Sequence, residues 1–217
     1  MGSPPGERGR EAEETAHSVT ISRPFYLGAT EVTQGQWERV MGSNPSHFRS
    51  CGPGCPVEEV SWYDVQAFIA RLDSLTSRRF RLPTEAEWEY ACRAGTTTPF
   101  STGSDLTPEQ ANYDAEGSAH AASPVAFRRS PAPVASFAAN AFGLFDLHGN
   151  VWEWTSDDHC PYPGGPVADP VANCSSEEKV IRGGSWYFDR DSARCALRYT
   201  HRPQDRGPSL GFRLARR

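Results

Sequence analysis

The chain has 217 residues and a formal net charge of −5, with no basic excess that would favour nucleic acid. Aliphatic and aromatic residues make up 37%, aromatics alone reach 11%, and 19 glycines and 18 prolines are spread along the chain. This argues against a helical bundle and for one loop-rich domain with an aromatic core. No apolar run is long enough to span a bilayer as a helix.

Residues 1–17 (MGSPPGERGREAEETAH) form a polar, charged arm that by composition alone reads as disordered. Residues 18–217 then read as a single domain. Val19, Ile21 and Phe25 alternate and predict a strand that continues through Gly28. Three helices are each announced by a capping pair three residues apart: Thr33 and Gln36, Ser61 and Asp64, Thr84 and Glu87. The first stops by Gly42. The second carries Val65, Phe68, Ile69 and Leu72 at helical spacing, and Gly95 is the expected stop of the third. From Thr96 to Pro133 the sequence is a long irregular region, with Asn112-Tyr113 as a candidate anchor. Such loops are functional or pinned by an ion or a disulfide. Lys179–Arg182 predicts a strand, and Ser192–Arg198 and Leu210–Leu214 predict two more.

The densest chemistry lies in Gly143–Trp154, GLFDLHGNVWEW. Gly149-Asn150 favours positive φ and a chain reversal. The next residues alternate, placing Trp152 and Trp154 on one face and Val151 and Glu153 on the other. An inward carboxylate at 153 requires an arginine, a set of backbone donors or a hard cation. With Asp146 and the turn carbonyls, Glu153 could surround Ca²⁺. The Arg182-Gly183-Gly184-Ser185-Trp186 segment is expected to share the buried centre with this stretch.

Six cysteines stand at 51, 55, 92, 160, 174 and 195. An even count suits three disulfides, with connectivity open. Cys51 and Cys55 lie in a loop able to close on itself. Cys160 and Cys174 bracket a Pro/Gly-rich loop, which a bridge would stabilise by about 3 kcal/mol. Zinc is disfavoured, because no CxxC pair exists and no histidine sits at ligand spacing. No signal peptide precedes Met1-Gly2-Ser3-Pro4, so the chain is cytosolic or a mature fragment, and three disulfides favour an oxidising, extracytoplasmic compartment.

The motifs MGSP, FYLGATEVTQGQW, NPSHF, CPVEEVSWYDVQAF, RLPTEAEWEYACRAG, GLFDLHGNVWEWTSD, RGGSW and LGFRLA follow one another in this order. In them the chain resembles the formylglycine-generating enzyme (sulfatase-modifying factor) family over nearly its whole length. The resemblance implies an α+β variant of the C-type-lectin fold, with few regular elements and structural Ca²⁺. It implies an ion held by Asp146, Gly149, Val151 and Glu153. A second ion site would use Asn112 and Tyr113, but the loop Ala115–Arg128 has no aspartate to complete it. It also implies a disulfide between Cys92 and Cys195, leaving Cys51–Cys55 and Cys160–Cys174 as local pairs.

The family's oxidase uses a cysteine pair to bind copper(I). The first of that pair falls at Phe188 here, and Asp189–Ala193 holds no thiol. Copper(I) prefers thiolates, which Phe cannot replace. No copper and no catalytic residue set are therefore expected. The leading expectation is a monomeric binding module for a protein or small molecule, with Trp186, Tyr187, Asp189, Arg190, Arg198 and His201 as its surface. Related lectin-fold domains, including retroelement-diversified receptors, bind ligands in this region. A second expectation is altered oxidoreductase chemistry, as in relatives that act in siderophore maturation. A third is formylglycine generation by another route.

Overall fold

The computed structural model describes residues 1–217. Its elements, in chain order, are β1 (Val19–Thr20), β2 (Tyr26–Leu27), α1 (Gln34–Met41), α2 (Trp62–Thr76), α3 (Glu85–Arg93), β3 (Trp152–Asp158), β4 (Val167–Ala168), β5 (Lys179–Arg182), β6 (Tyr199–His201), β7 (Leu210–Gly211) and β8 (Ala215–Arg216). Short 3₁₀ turns occupy Arg49–Cys51 and Arg190–Ala193.

All three helices begin where the capping pairs place them, and in each the reciprocal side-chain and backbone bonds are both present. Each box satisfies two N–H groups that the first turn would otherwise leave unpaired. Gly42 ends α1 in the left-handed region. The left-handed cap of α3 is Ala94, one residue before the expected Gly95.

The main sheet has the order β6-β5-β3-β7. β5 runs antiparallel to both β3 and β6, and β7 runs parallel to β3. Two small sheets, β1 with β4 and β2 with β8, tie the chain's early part to its late part. The expected N-terminal strand is split into β1 and β2, with Pro24 between them, which supplies no N–H to a ladder. The tail also divides differently from expectation. Arg190–Ala193 is a 3₁₀ turn, and three short strands replace the two predicted.

Trp152 and Trp154 face one way from β3 and join Trp37, Val65, Phe68, Ile181, Leu210 and Phe212 in the main core. Trp37 stacks on Phe68 at 5.0 Å, which locks α1 to α2. The irregular region carries its own smaller core of Phe100, Leu106, Ala111, Tyr113, Ala115, Ala126 and Ala193. Tyr113 Oη donates to the Leu106 carbonyl at 2.7 Å. That apolar knot explains how so long a stretch without helix or strand holds its shape.

The N-terminal arm is a correction to the compositional reading. Ser3 and Glu14 are fully buried. Arg194 donates to both Glu14 oxygens at 2.8 and 2.6 Å, to Glu7 at 2.7 Å, and to the Gly9 carbonyl. Gly2 N–H donates to Glu89 on α3 at 2.9 Å. The arm is polar because its partners are interior charges.

Three disulfides join Cys51 to Cys55, Cys92 to Cys195 and Cys160 to Cys174, the connectivity that the resemblance implies. They are consistent with an oxidising compartment. No helix is long and apolar enough to cross a membrane.

Candidate functional site

The Gly149-Asn150 turn is the hub. Gly149 has φ +80° and Asn150 φ +64°. A Cβ on Gly149 would lie 2.2 Å from the Asn112 carbonyl oxygen. Asn150 N–H donates to that same oxygen at 2.7 Å, Gly149 N–H donates to Gly183 O at 2.7 Å, and Trp186 N–H donates to Asn150 O at 2.9 Å. One turn thus binds the irregular region to the Arg182–Trp186 segment, as the sequence reading expects of a shared centre.

Below the turn lie three buried carboxylates. Glu153 accepts from Arg213 Nε and Nη2, both at 2.6 Å, and from Trp88 Nε1 at 2.7 Å. The arginine option for Glu153 is therefore realised. Asp146 accepts from Ala135 N–H at 2.7 Å through Oδ2, while its buried Oδ1 has no partner. Glu31, absent from the sequence-derived set, accepts from Asn150 Nδ2 at 2.9 Å and from Val151 N–H at 3.3 Å. Burial pushes the Glu31 carboxyl well above its ordinary range, and the charges of Asp146 and Glu153 add to this. Burial likewise raises Asp146.

Arg213 is the one cationic side chain bonded within this group, so the carboxylates outnumber their counter-charge. The unpartnered Asp146 oxygen and this excess of buried acid fit a hard divalent ion. Asp146 and Glu153 would hold it with the carbonyls of Gly149 and Val151. Three carboxylates fall short of the six to eight oxygens that calcium takes, so backbone oxygens are needed to complete a shell. Cys92, His148 and Cys195 also lie close together, but the two sulfurs are joined in a disulfide.

At the second expected ion site, Asn112 and Tyr113 are both buried. Asn112 Nδ2 donates to Ser130 O and to Asn150 Oδ1, and its Oδ1 is unpartnered. Tyr113 spends its hydroxyl on Leu106, and burial pushes its pKa up to about 12. One orphaned amide oxygen, with no aspartate on the Ala115–Arg128 loop, falls short of the six to eight oxygens that calcium takes.

The expected ligand surface is part aromatic face and part interior. Tyr187 is 62% exposed and Tyr199 47% exposed. Tyr199 stacks on Trp152 at 5.5 Å, and Phe188 meets Trp152 edge-on at the same distance. Trp186 is buried and donates to Pro208 O, so it forms wall rather than contact surface. Phe48 and Phe127 pack on it and extend the aromatic band, which the sequence gives no reason to group. Asp189 caps the 3₁₀ turn through Ser192, Arg190 pairs with Asp105, and His201 pairs with Asp205 at 3.4 Å.

Arg198 is the clear departure. It is buried, bonds both oxygens of Glu85 at 2.8 and 2.9 Å, and lies 4.0 Å under the Tyr162 ring. Arg198 lies just before β6 and is buried, whereas its neighbour Tyr199 is exposed. Arg198 instead floors a half-open cleft of ≈ 440 Å³ walled by the Cys160–Cys174 loop. Asp157 also lines it, and burial pushes its carboxyl up to about 6.

These features define a lectin-like α+β scaffold of short strands and pinned loops around a glycine turn. The sulfatase-modifying factor enzyme 1-like domain profile matches residues 1–217, and the chain belongs to that family. The formylglycine-generating enzyme of Streptomyces coelicolor is 38% identical over 173 residues, covering 75% of this chain and 53% of that protein. The chain spans about half the length of the curated relatives it matches. Among solved structures, PvdO from Pseudomonas aeruginosa superposes with a TM-score of 0.84 at 32% identity, covering 100% of this chain and 89% of that one. Treponema denticola variable protein 1 superposes at 0.81 with 30% identity, covering 93% and 87%.

Proposed function

We propose that this domain is a ligand- or protein-binding module built on the formylglycine-generating-enzyme scaffold, not a copper-dependent oxidase of the cysteine-pair type. One observation carries this reading: all six cysteines are joined in disulfides, and Phe188 stands where the resemblance calls for the first copper thiolate. The aromatic face of Tyr187, Phe188 and Tyr199 supports it, since exposed tyrosines on a rigid frame bury large area at little entropic cost. Asp189, Arg190 and His201 flank that face and supply polar rim. Trp186 packs on Tyr187 and backs that face, whereas Arg198 lies outside it.

A structural Ca²⁺ at Asp146, Gly149, Val151 and Glu153 belongs to this reading, as does an extracytoplasmic, monomeric state. The ion would neutralise buried acid and pin the turn. The likeness to PvdO favours one alternative, an oxidoreductase of siderophore-maturation type.

The test is to incubate the protein with copper(I), O₂ and a peptide carrying a Cys-x-Pro-x-Arg motif. The expected result is unmodified peptide, and formylglycine product overturns the reading. Elemental analysis of the purified protein separates the remaining two: calcium alone supports the module, whereas stoichiometric iron or copper supports the enzyme.

A further inference from the structure

We infer that Glu31 sets the charge of the cation site at the Gly149 turn, and so its affinity for a divalent ion, a role outside the ligand set Asp146, Gly149, Val151 and Glu153. The inference rests on the calcium reading above. Glu31 is only 1% exposed, and its two oxygens accept from Asn150 Nδ2 and Val151 N–H, so it grips the turn that carries the ligating carbonyls.

The charges then balance in one way. Arg213 bonds Glu153 through two nitrogens, and the charges of that pair cancel. Asp146 and Glu31 remain, both buried and neither bonded to a cationic side chain. One Asp146 oxygen is bound to nothing. Two such carboxylates in a dry interior cannot both stay ionised without a counter-charge, and a single divalent ion supplies it for both. Without Glu31 the site would hold only one unit of free negative charge, which suits a divalent ion poorly. Glutamine at this position keeps an oxygen that can accept from the turn, so the substitution removes chiefly the charge.

The test is Glu31→Gln in the full chain, stripped with a chelator. Calcium binding is measured by titration calorimetry and melting is followed in EDTA and in calcium. The expected result is calcium affinity weaker by about ten-fold or more, since ligand charge tunes such sites. Melting in EDTA should equal or exceed that of the parent, and the calcium-induced rise should shrink. Glu31→Asp, which keeps the charge, should keep most of the rise. The inference is overturned if Glu31→Gln binds calcium as tightly as the parent. It is also overturned if the variant melts lower, or fails to fold, in EDTA, for then Glu31 is merely structural. A parent protein that takes up no calcium defeats the calcium reading itself.

Discussion

Replacing Glu14 with alanine should detach the N-terminal arm. Glu14 and Arg194 are both buried at their side chains, and Glu14 also accepts from Ser3 Oγ at 2.7 Å and Glu11 N–H at 3.1 Å. Removing one partner of a buried pair costs about 3–5 kcal/mol, because the other charge is left in a dry site. Glu7 and the Gly9 carbonyl still contact Arg194, so the lower end applies, about 3 kcal/mol. For a chain of this size that lowers Tm by roughly 6–12 °C. Burial alone would raise the Glu14 carboxyl, but bonds from Arg194 and Ser3 hold it below its ordinary value. Its folded value is therefore the lower one. The stabilisation is present above the unfolded value and is lost as pH falls through the folded one. Urea unfolding at pH 7 and at pH 3 would read this, together with timed trypsin cleavage after Arg8 and Arg10. A loss under 1 kcal/mol with unchanged cleavage would refute the docked arm.

The other predictions are independent of it. His148 is buried, and burial lowers its pKa to about 4. Between that value and the ordinary 6.5 only the unfolded chain binds the proton, so the folded state should lose about 2 kcal/mol on going from pH 7.5 to pH 5. His148→Gln should flatten this dependence, and parallel pH profiles for the two proteins would contradict it. Gly149→Ala meets both the positive φ and the Asn112 carbonyl, and should cost at least about 3 kcal/mol by denaturant titration. EDTA should lower the Tm of calcium-loaded protein, and excess calcium should restore it; an unchanged Tm counts against the ion. Cys160→Ser with Cys174→Ser should cost about 3 kcal/mol by denaturant titration, chiefly by giving the unfolded chain more freedom.

Local chemistry was readable wherever its partners lie within a few residues. Thr33, Ser61 and Thr84 cap their helices because a box needs only the residue three positions on. The opposed faces of Trp154 and Glu153 follow from alternation alone. Arg194 escaped because its partner Glu14 is 180 positions away, and nothing in a polar run says that an interior arginine waits for it. Glu31 escaped for the same reason, lying 119 residues from Asn150.

By itself the amino-acid sequence determined the three capped helices, the reversal at Gly149-Asn150, the family and, through it, the Cys92–Cys195 pair. Periodicity, turn chemistry and motif order need no distant partner to be read. Only the tertiary structure decided which charges are interior. It gave Glu153 to Arg213, Glu85 to Arg198 and Glu14 to Arg194, and left one oxygen of Asp146 free. The physical reason is that a charge's environment is set by whatever the fold brings against it, and a linear chain carries no record of that distance.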